Sequence, residues 1–272
     1  MNHDAWLAAH PYLQPLASFH DQVNGVLDEI LTVSNRVPAW ADYENDFDAG
    51  VPLLQSSRST IDLGPAKTII KMLLEKLATT PLPEPTADQI RTLHAELSSG
   101  PDAPQHAVAW LLYDAPFAFS YPGLLRYLGW TTLSRHLHPL TQAFGNWRTE
   151  ERWLRSYCPT CGSLPVMAQL AGKEAERHRL LSCGCCGTRW WYQRMDCPFC
   201  EKQNNHQLAA LTVEGENAVR IDYCESCHGY LKPYNGEGNE CVLLADWTSI
   251  HLDVAAQTFG LKRLAPSLFA LK

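Results

Sequence analysis

The chain has 272 residues, 46% of them hydrophobic, with a formal charge of −7 and a pI near 5.9. Length and apolar content suffice for a buried core and for one or two domains. The acidic balance argues against a general polyanion binder, whose phosphate contacts leave a basic stripe, and no run approaches the roughly 20 apolar residues a membrane helix requires.

The opening Met1-Asn2-His3-Asp4-Ala5-Trp6 has neither a cationic stretch ahead of an apolar one nor a twin-arginine pair, so a cytoplasmic location is expected. Up to about residue 150 there is no cysteine and the apolar residues recur at helical spacing, first as Phe19, Val23, Val26, Leu27, Ile30 and Leu31. A second helix is predicted from about Gly64 to Leu77, with Pro65 in the first turn where its missing N–H costs nothing. It stops before Pro81-Leu82-Pro83-Glu84-Pro85, a stiff connection. Thr86 to Leu97 follows, with Thr86 as the capping residue and Ile90, Leu93 and Leu97 on one face. Another helix is predicted over Ala103–Tyr113, and the aromatic-rich stretch from Ala107 to Leu140 should supply most of the helical core. The acidic run Asp42, Glu44, Asp46 and Asp48, interleaved with Tyr43 and Phe47, reads as a solvated loop.

Composition turns polar between Gly145 and Ser156, where the domain boundary is placed. All ten cysteines lie beyond it, in 158–241. In a reducing compartment, clustered Cys-x-x-Cys pairs read as metal ligands before disulfides. The pairs are Cys158/Cys161, Cys183/Cys186, Cys197/Cys200 and Cys224/Cys227. The gaps within each proposed site, 162–182 and 201–223, hold 21 and 23 residues, which indicates a duplicated unit. Two knuckles about twenty residues apart allow a hairpin to bring the second pair onto the first, and four thiolates satisfy Zn²⁺ completely. Each knuckle favours a residue at positive φ after its second cysteine. Gly162 and Gly187 fit, whereas Glu201 and His228 occupy those places in the second site and leave its geometry less assured. Cys185 and Cys241 remain over and read as ordinary thiols, with a metal or redox role as the alternative. Four thiolates accept zinc or mononuclear iron, and ligand type alone does not choose.

Short β-prone runs, Thr188–Tyr192 and Ala218–Ile221, sit between the knuckles, and Val242–Phe259 reads as a last helix ending near Gly260. The fold class expected is therefore α+β: a helical domain over 1–152, four-cysteine ribbons over 153–192 and 193–240, and a C-terminal helix and tail over 241–272. Histidines 136, 138, 178, 206, 228 and 251 form no His-Glu-x-x-His pattern, and no nucleophile elbow, phosphate loop or dinucleotide fingerprint is present, so an enzyme reading has no motif behind it. Trp190, Trp191 and Tyr192 could stack bases, but segment 158–240 carries eight Lys plus Arg against ten Asp plus Glu, which favours packing instead.

The motifs Cys158-Pro159-Thr160-Cys161-Gly162-Ser163-Leu164-Pro165, Leu181-Ser182-Cys183 through Cys186 with Thr188-Arg189-Trp190, and Arg194-Met195-Asp196-Cys197 through Cys200-Glu201 resemble those of the formate dehydrogenase accessory protein FdhE family. The resemblance continues through Tyr223-Cys224-Glu225-Ser226-Cys227, Tyr230-Leu231-Lys232, Gly50-Val51-Pro52-Leu53-Leu54 and the region from Asp246 to Gly260. It implies a cytoplasmic maturation factor with a helical domain and two rubredoxin-like metal folds, binding iron and associated with the catalytic subunit of a formate dehydrogenase exported by the twin-arginine route. The leading expectation is a non-enzymatic chaperone that binds this subunit during cofactor insertion, without nucleic acid or membrane as partner and with self-association left open. A redox or sulfur-chemistry protein acting on the same enzyme is the alternative, and a zinc-ribbon nucleic-acid binder the second.

Overall fold

The computed structural model describes residues 7–8, 11–30, 37–59, 61–147, 152–172, 177–201, 207–216, 218–235 and 246–268. In chain order these form α1 (Gln14–Ile30), α2 (Trp40–Asp48), α3 (Gly64–Thr79), α4 (Thr86–Ser98), α5 (Ala103–Tyr113) and α6 (Pro122–Trp147). Strands β1 (Pro165–Ala171), β2 (His178–Cys183), β3 (Arg189–Tyr192), β4 (Leu208–Leu211), β5 (Ile221–Cys224), β6 (Tyr230–Leu231) and β7 (Pro233–Asn235) follow, then α7 (Ile250–Thr258). The α+β class read from the sequence is borne out.

The chain divides into two compact units. One comprises Met1–Arg36 and Ile61–Pro139, the other Val37–Thr60 and Leu140–Leu271. In the first, α1 packs on α3, and α3 on α4 and α5. The helices form because their apolar residues repeat at helical spacing: α3 buries Ala66, Ile69, Ile70, Leu73, Leu74 and Leu77, and α4 buries Ile90, Leu93 and Leu97. Each such leucine contributes on the order of 2 kcal/mol on burial. Pro65 sits in the first turn of α3 as expected. Thr86 is the first helical residue of α4 rather than its cap: Pro85 holds the cap position without a side-chain bond, and the Gln89 N–H donates to the Pro85 carbonyl. His136 is buried, its Nε2 3.1 Å from the Asp62 carbonyl.

In the second unit the acidic run 42–48 is helical, not a loop. Trp40, Tyr43 and Phe47 recur along one face of α2 and meet edge-on, with ring centroids 5.2–6.1 Å apart. The acidic residues occupy the outer face, where Arg152 pairs with Glu44 at 3.1 Å and with Asp48 at 2.5 Å. Apolar periodicity thus outweighs the charge run.

The strands make two sheets, ordered β3-β2-β1-β7 and β4-β5-β6. β7 leaves the second ribbon and pairs in parallel with β1, aligning Ala168 with Pro233 and Leu170 with Asn235. The β-prone run 218–221 lies three residues early: Ile221 begins β5, while Val219 forms an isolated bridge to Tyr234.

The C-terminal region is fastened by a buried ionic cluster. Lys232 Nζ lies 2.8 Å from Asp246 and 2.7 Å from Asp253; Arg263 reaches the same two carboxylates at 2.6 and 3.0 Å. Tyr230 donates to Asp253 at 2.7 Å and Ser267 to Asp246 at 2.8 Å. Two cations therefore meet two anions, and the remaining hydrogen-bonding capacity of the carboxylates is largely used, the condition under which buried charge is tolerated. Burial works to raise the Asp246 carboxyl, but Lys232 and Arg263 bring it down to about 2. The last helix, expected over Val242–Phe259, runs from Ile250 to Thr258, with Ser249 and Phe259 at its cap positions and Gly260 following at φ +71°; residues 242–245 lie outside the described residues. Lys232→Ala would leave two buried carboxylates sharing one guanidinium, and a loss of about 3–5 kcal/mol is expected in urea unfolding.

Candidate metal centres

The structure brings together the cysteines that spacing had paired. Sγ atoms of Cys158, Cys161, Cys183 and Cys186 lie within 4.8 Å of one another, as do those of Cys197, Cys200, Cys224 and Cys227. Cys158 and Cys186 are 3.5 Å apart, Cys161 and Cys183 3.4 Å, Cys197 and Cys227 3.7 Å, and Cys200 and Cys224 3.8 Å. Four sulfurs about 2.3 Å from a central ion stand about 3.8 Å apart along each tetrahedral edge. A disulfide would need about 2.0 Å. Each group of four thiols could therefore hold one metal ion, with no fifth protein donor required.

Hairpins supply this convergence. β1 and β2 pair antiparallel from Met167/Ser182 to Ala171/His178, which lays the knuckle after Cys183 over the knuckle that precedes β1. In the second ribbon β4 pairs with β5, Leu208 opposite Cys224, and β5 with β6. All four knuckles close in the same way: the N–H after the second cysteine donates to the carbonyl of the first, at 2.9 Å for Gly162, 3.2 Å for Gly187, 3.0 Å for Glu201 and 2.8 Å for His228. The four residues share positive φ, between 52° and 83°. Glu201 and His228 thus adopt the glycine conformation, a cost of about 1–2 kcal/mol each, and their neighbours hold them there. Ser156 donates to the Glu201 carboxylate at 2.6 Å, and the Lys262 N–H donates to the His228 carbonyl at 2.7 Å.

Sulfur-directed donors complete the surroundings. Backbone N–H groups of Thr160, Phe199 and Gly229 lie 3.4 Å from Cys158, Cys197 and Cys227. In the first cluster the Cys161 and Cys186 thiols in turn donate to the Ser163 and Thr188 hydroxyls at 3.3 and 3.1 Å, and the hydroxyls of Thr160 and Thr188 join at 2.8 Å. Burial acts to raise Cys158, yet hydrogen bonds from Cys161, Cys183 and Cys186 hold it well below an ordinary thiol; burial leads in pushing Cys183 and Cys186 well above. Sulfurs this close do not ionise independently, and a cation is what allows all four to be thiolates.

The first knuckle is also gripped from far away in sequence. Leu53 and Leu54 N–H groups donate to the Pro159 and Thr160 carbonyls at 2.9 Å each, and the Tyr157 hydroxyl donates to Gly50 at 2.7 Å. Trp153 and Trp190, both buried, anchor the approach by donating to Tyr157 and Arg155 carbonyls at 2.8 and 3.0 Å. The Gly50–Leu54 motif was visible in the sequence but its role was not, because its partners Pro159 and Thr160 lie about a hundred residues away. Beside the second cluster a cavity of about 200 Å³ is walled by Arg179, Met195, Phe199 and Leu208 with Cys197 and Cys224. Cys185 is buried and outside both groups of four; Cys241 and His206 lie outside the described residues.

Fold and sites define a tandem four-cysteine ribbon protein with a helical N-terminal region. Residues 157–194 match the family model described as FdhE, central domain. A protein FdhE homolog of Pseudomonas aeruginosa is 35% identical over 122 residues, 42% of this chain and 39% of the relative. One from Aquifex aeolicus is 33% identical over 40% of each chain, and the protein FdhE of Salmonella arizonae is 28% identical over 72% of this chain and 64% of its own. The match therefore spans less than two thirds of each of these relatives. The crystal structure of the FdhE protein from Pseudomonas aeruginosa superposes with a TM-score of 0.65 at 22% identity, over 95% of this chain and 88% of that one, and shares the fold. In its cysteine region and in its fold the chain is thus similar to FdhE proteins.

At Gly162 an added Cβ would sit 2.6 Å from Gln55 Nε2 and 3.2 Å from Pro52 Cγ, at φ +83°; at Gly215, φ +89°, it would meet nothing. Gly215→Ala should carry only the backbone cost of about 1–2 kcal/mol. Gly162→Ala should cost somewhat more, because the Gln55 side chain must move aside and Pro52 give way by a few tenths of an ångström; urea midpoints of the two metal-loaded variants test the difference.

Proposed function

We propose that the chain is a cytoplasmic accessory protein that binds the catalytic subunit of a formate dehydrogenase and supports its assembly or cofactor insertion, ahead of twin-arginine export. One observation carries the reading: each cluster offers four converging sulfurs, a donor set that fills a tetrahedral ion and leaves it no open position. Cys158, Cys161, Cys183 and Cys186 would hold one ion and Cys197, Cys200, Cys224 and Cys227 the other, zinc or iron. Such an ion stabilises a small ribbon that cannot fold by burial alone. The resemblance to FdhE supplies the client, and the acidic charge fits a protein partner in place of nucleic acid or membrane.

The half-buried positions of Cys200 and Cys227 favour a second reading, in which iron at the second cluster exchanges electrons with the client. Colourless protein with stoichiometric zinc would contradict it. For the leading reading, a tagged chain recovered from its native cells should carry a formate dehydrogenase catalytic subunit, and deletion of its gene should abolish formate dehydrogenase activity. Intact activity without a copurifying subunit would refute the proposal. Stripping the metals with a chelator under reducing conditions should erase the near-ultraviolet circular dichroism of Trp153 and Trp190, both packed beside the first cluster.

A further inference from the structure

The two clusters share one knuckle geometry but differ in what surrounds them. Cys158, Cys161, Cys183 and Cys186 are all at or below 1% exposure. Their first knuckle lies under the Pro52–Gln55 segment, tied by the two 2.9 Å bonds from Leu53 and Leu54, and Pro52 and Gln55 press on Gly162. Ser163 and Thr188 add hydroxyls against two of the sulfurs.

The second cluster has a different enclosure. Cys197 and Cys224 are buried, but Cys200 and Cys227 are only half-buried. The position two residues after Cys227, held by hydroxyl residues in the first cluster, is Gly229, which offers only its N–H. Cys197 and Cys224 also line the pocket of about 200 Å³, so among the described residues two sulfurs of this cluster are partly exposed and the other two border a pocket.

Loss of an ion from four thiolates requires an incoming ligand to reach the metal while one thiolate swings away. Both motions need space, and hydrogen bonds to sulfur hold the thiolates in place. All four sulfurs of the first cluster are buried; the second offers an approach at half-buried Cys200 and Cys227 and a pocket lined by Cys197 and Cys224. We infer that Cys197, Cys200, Cys224 and Cys227 form an exchangeable site for a soft divalent ion, while Cys158, Cys161, Cys183 and Cys186 form a closed one. This rests on the reading that both clusters hold metal. Exchange moves no electrons: one divalent ion leaves as another takes its place, or as the four thiolates take up protons and become thiols.

The full chain, reconstituted with zinc and counted for metal, is challenged with a chromogenic chelator in the presence of N-ethylmaleimide, and peptides are mapped at intervals. Fewer than two zinc ions per chain at the start would overturn the reading that both clusters bind metal. With two present, one should leave about 10-fold faster or more, the scale on which hydrogen bonds around ligands alter metal affinity. Alkylation should appear at Cys197, Cys200, Cys224 and Cys227 while Cys158, Cys161, Cys183 and Cys186 stay unmodified. Simultaneous release, or earlier labelling of the Cys158 cluster, would overturn the inference while leaving the metal reading intact.

Discussion

Four sulfur atoms held at tetrahedral spacing are the constraint from which the second unit follows. Sulfurs 3.4–3.8 Å apart repel as thiolates and gain little as thiols, so their convergence is stable only around a cation. An ion in each group of four would tie knuckles at the two ends of a hairpin, and the hairpins are too small to bury a self-sufficient core. A structural zinc ion contributes about 10–16 kcal/mol in comparable small modules, enough to decide folding.

Everything else in that unit is arranged to spread the constraint outward. β7 carries the end of the second ribbon into the sheet of the first, so the two ribbons share a sheet. The Lys232–Asp246–Asp253–Arg263 cluster joins β6–β7 to α7 and the tail, and the tail returns through Lys262 to the knuckle at His228. Segment 37–59, drawn from the N-terminal half of the sequence, completes the first site by gripping Pro159 and Thr160. A surface for a protein client built on this scaffold would owe its rigidity to metals and ionic contacts more than to a large apolar core.

The cysteine pairing was legible because a Cys-x-x-Cys knuckle is a local turn and its repeat at near-equal spacing leaves little freedom. The helices α1, α3, α4 and α5 were legible for the same reason, since periodicity is local. What was not legible depends on distant partners. Knuckle spacing marked the places of Glu201 and His228 as wanting positive φ, but neither residue type showed that it would adopt it, because the contacts from Ser156 and Lys262 come from elsewhere in the chain. Lys232, Asp246 and Asp253 read as ordinary charges, and only the fold shows that they neutralise one another. The acidic run of α2 concealed an aromatic face that the spacing of Trp40, Tyr43 and Phe47 already contained.

The central claim is that two ions, each bound by four cysteine sulfurs, organise the second unit. X-ray absorption at the metal edge of the purified chain tests it most directly and identifies the element as well. The account predicts two ions per chain with a single shell of four sulfurs at about 2.3 Å. A nitrogen or oxygen ligand in that shell, or fewer than four sulfurs per ion, would contradict it.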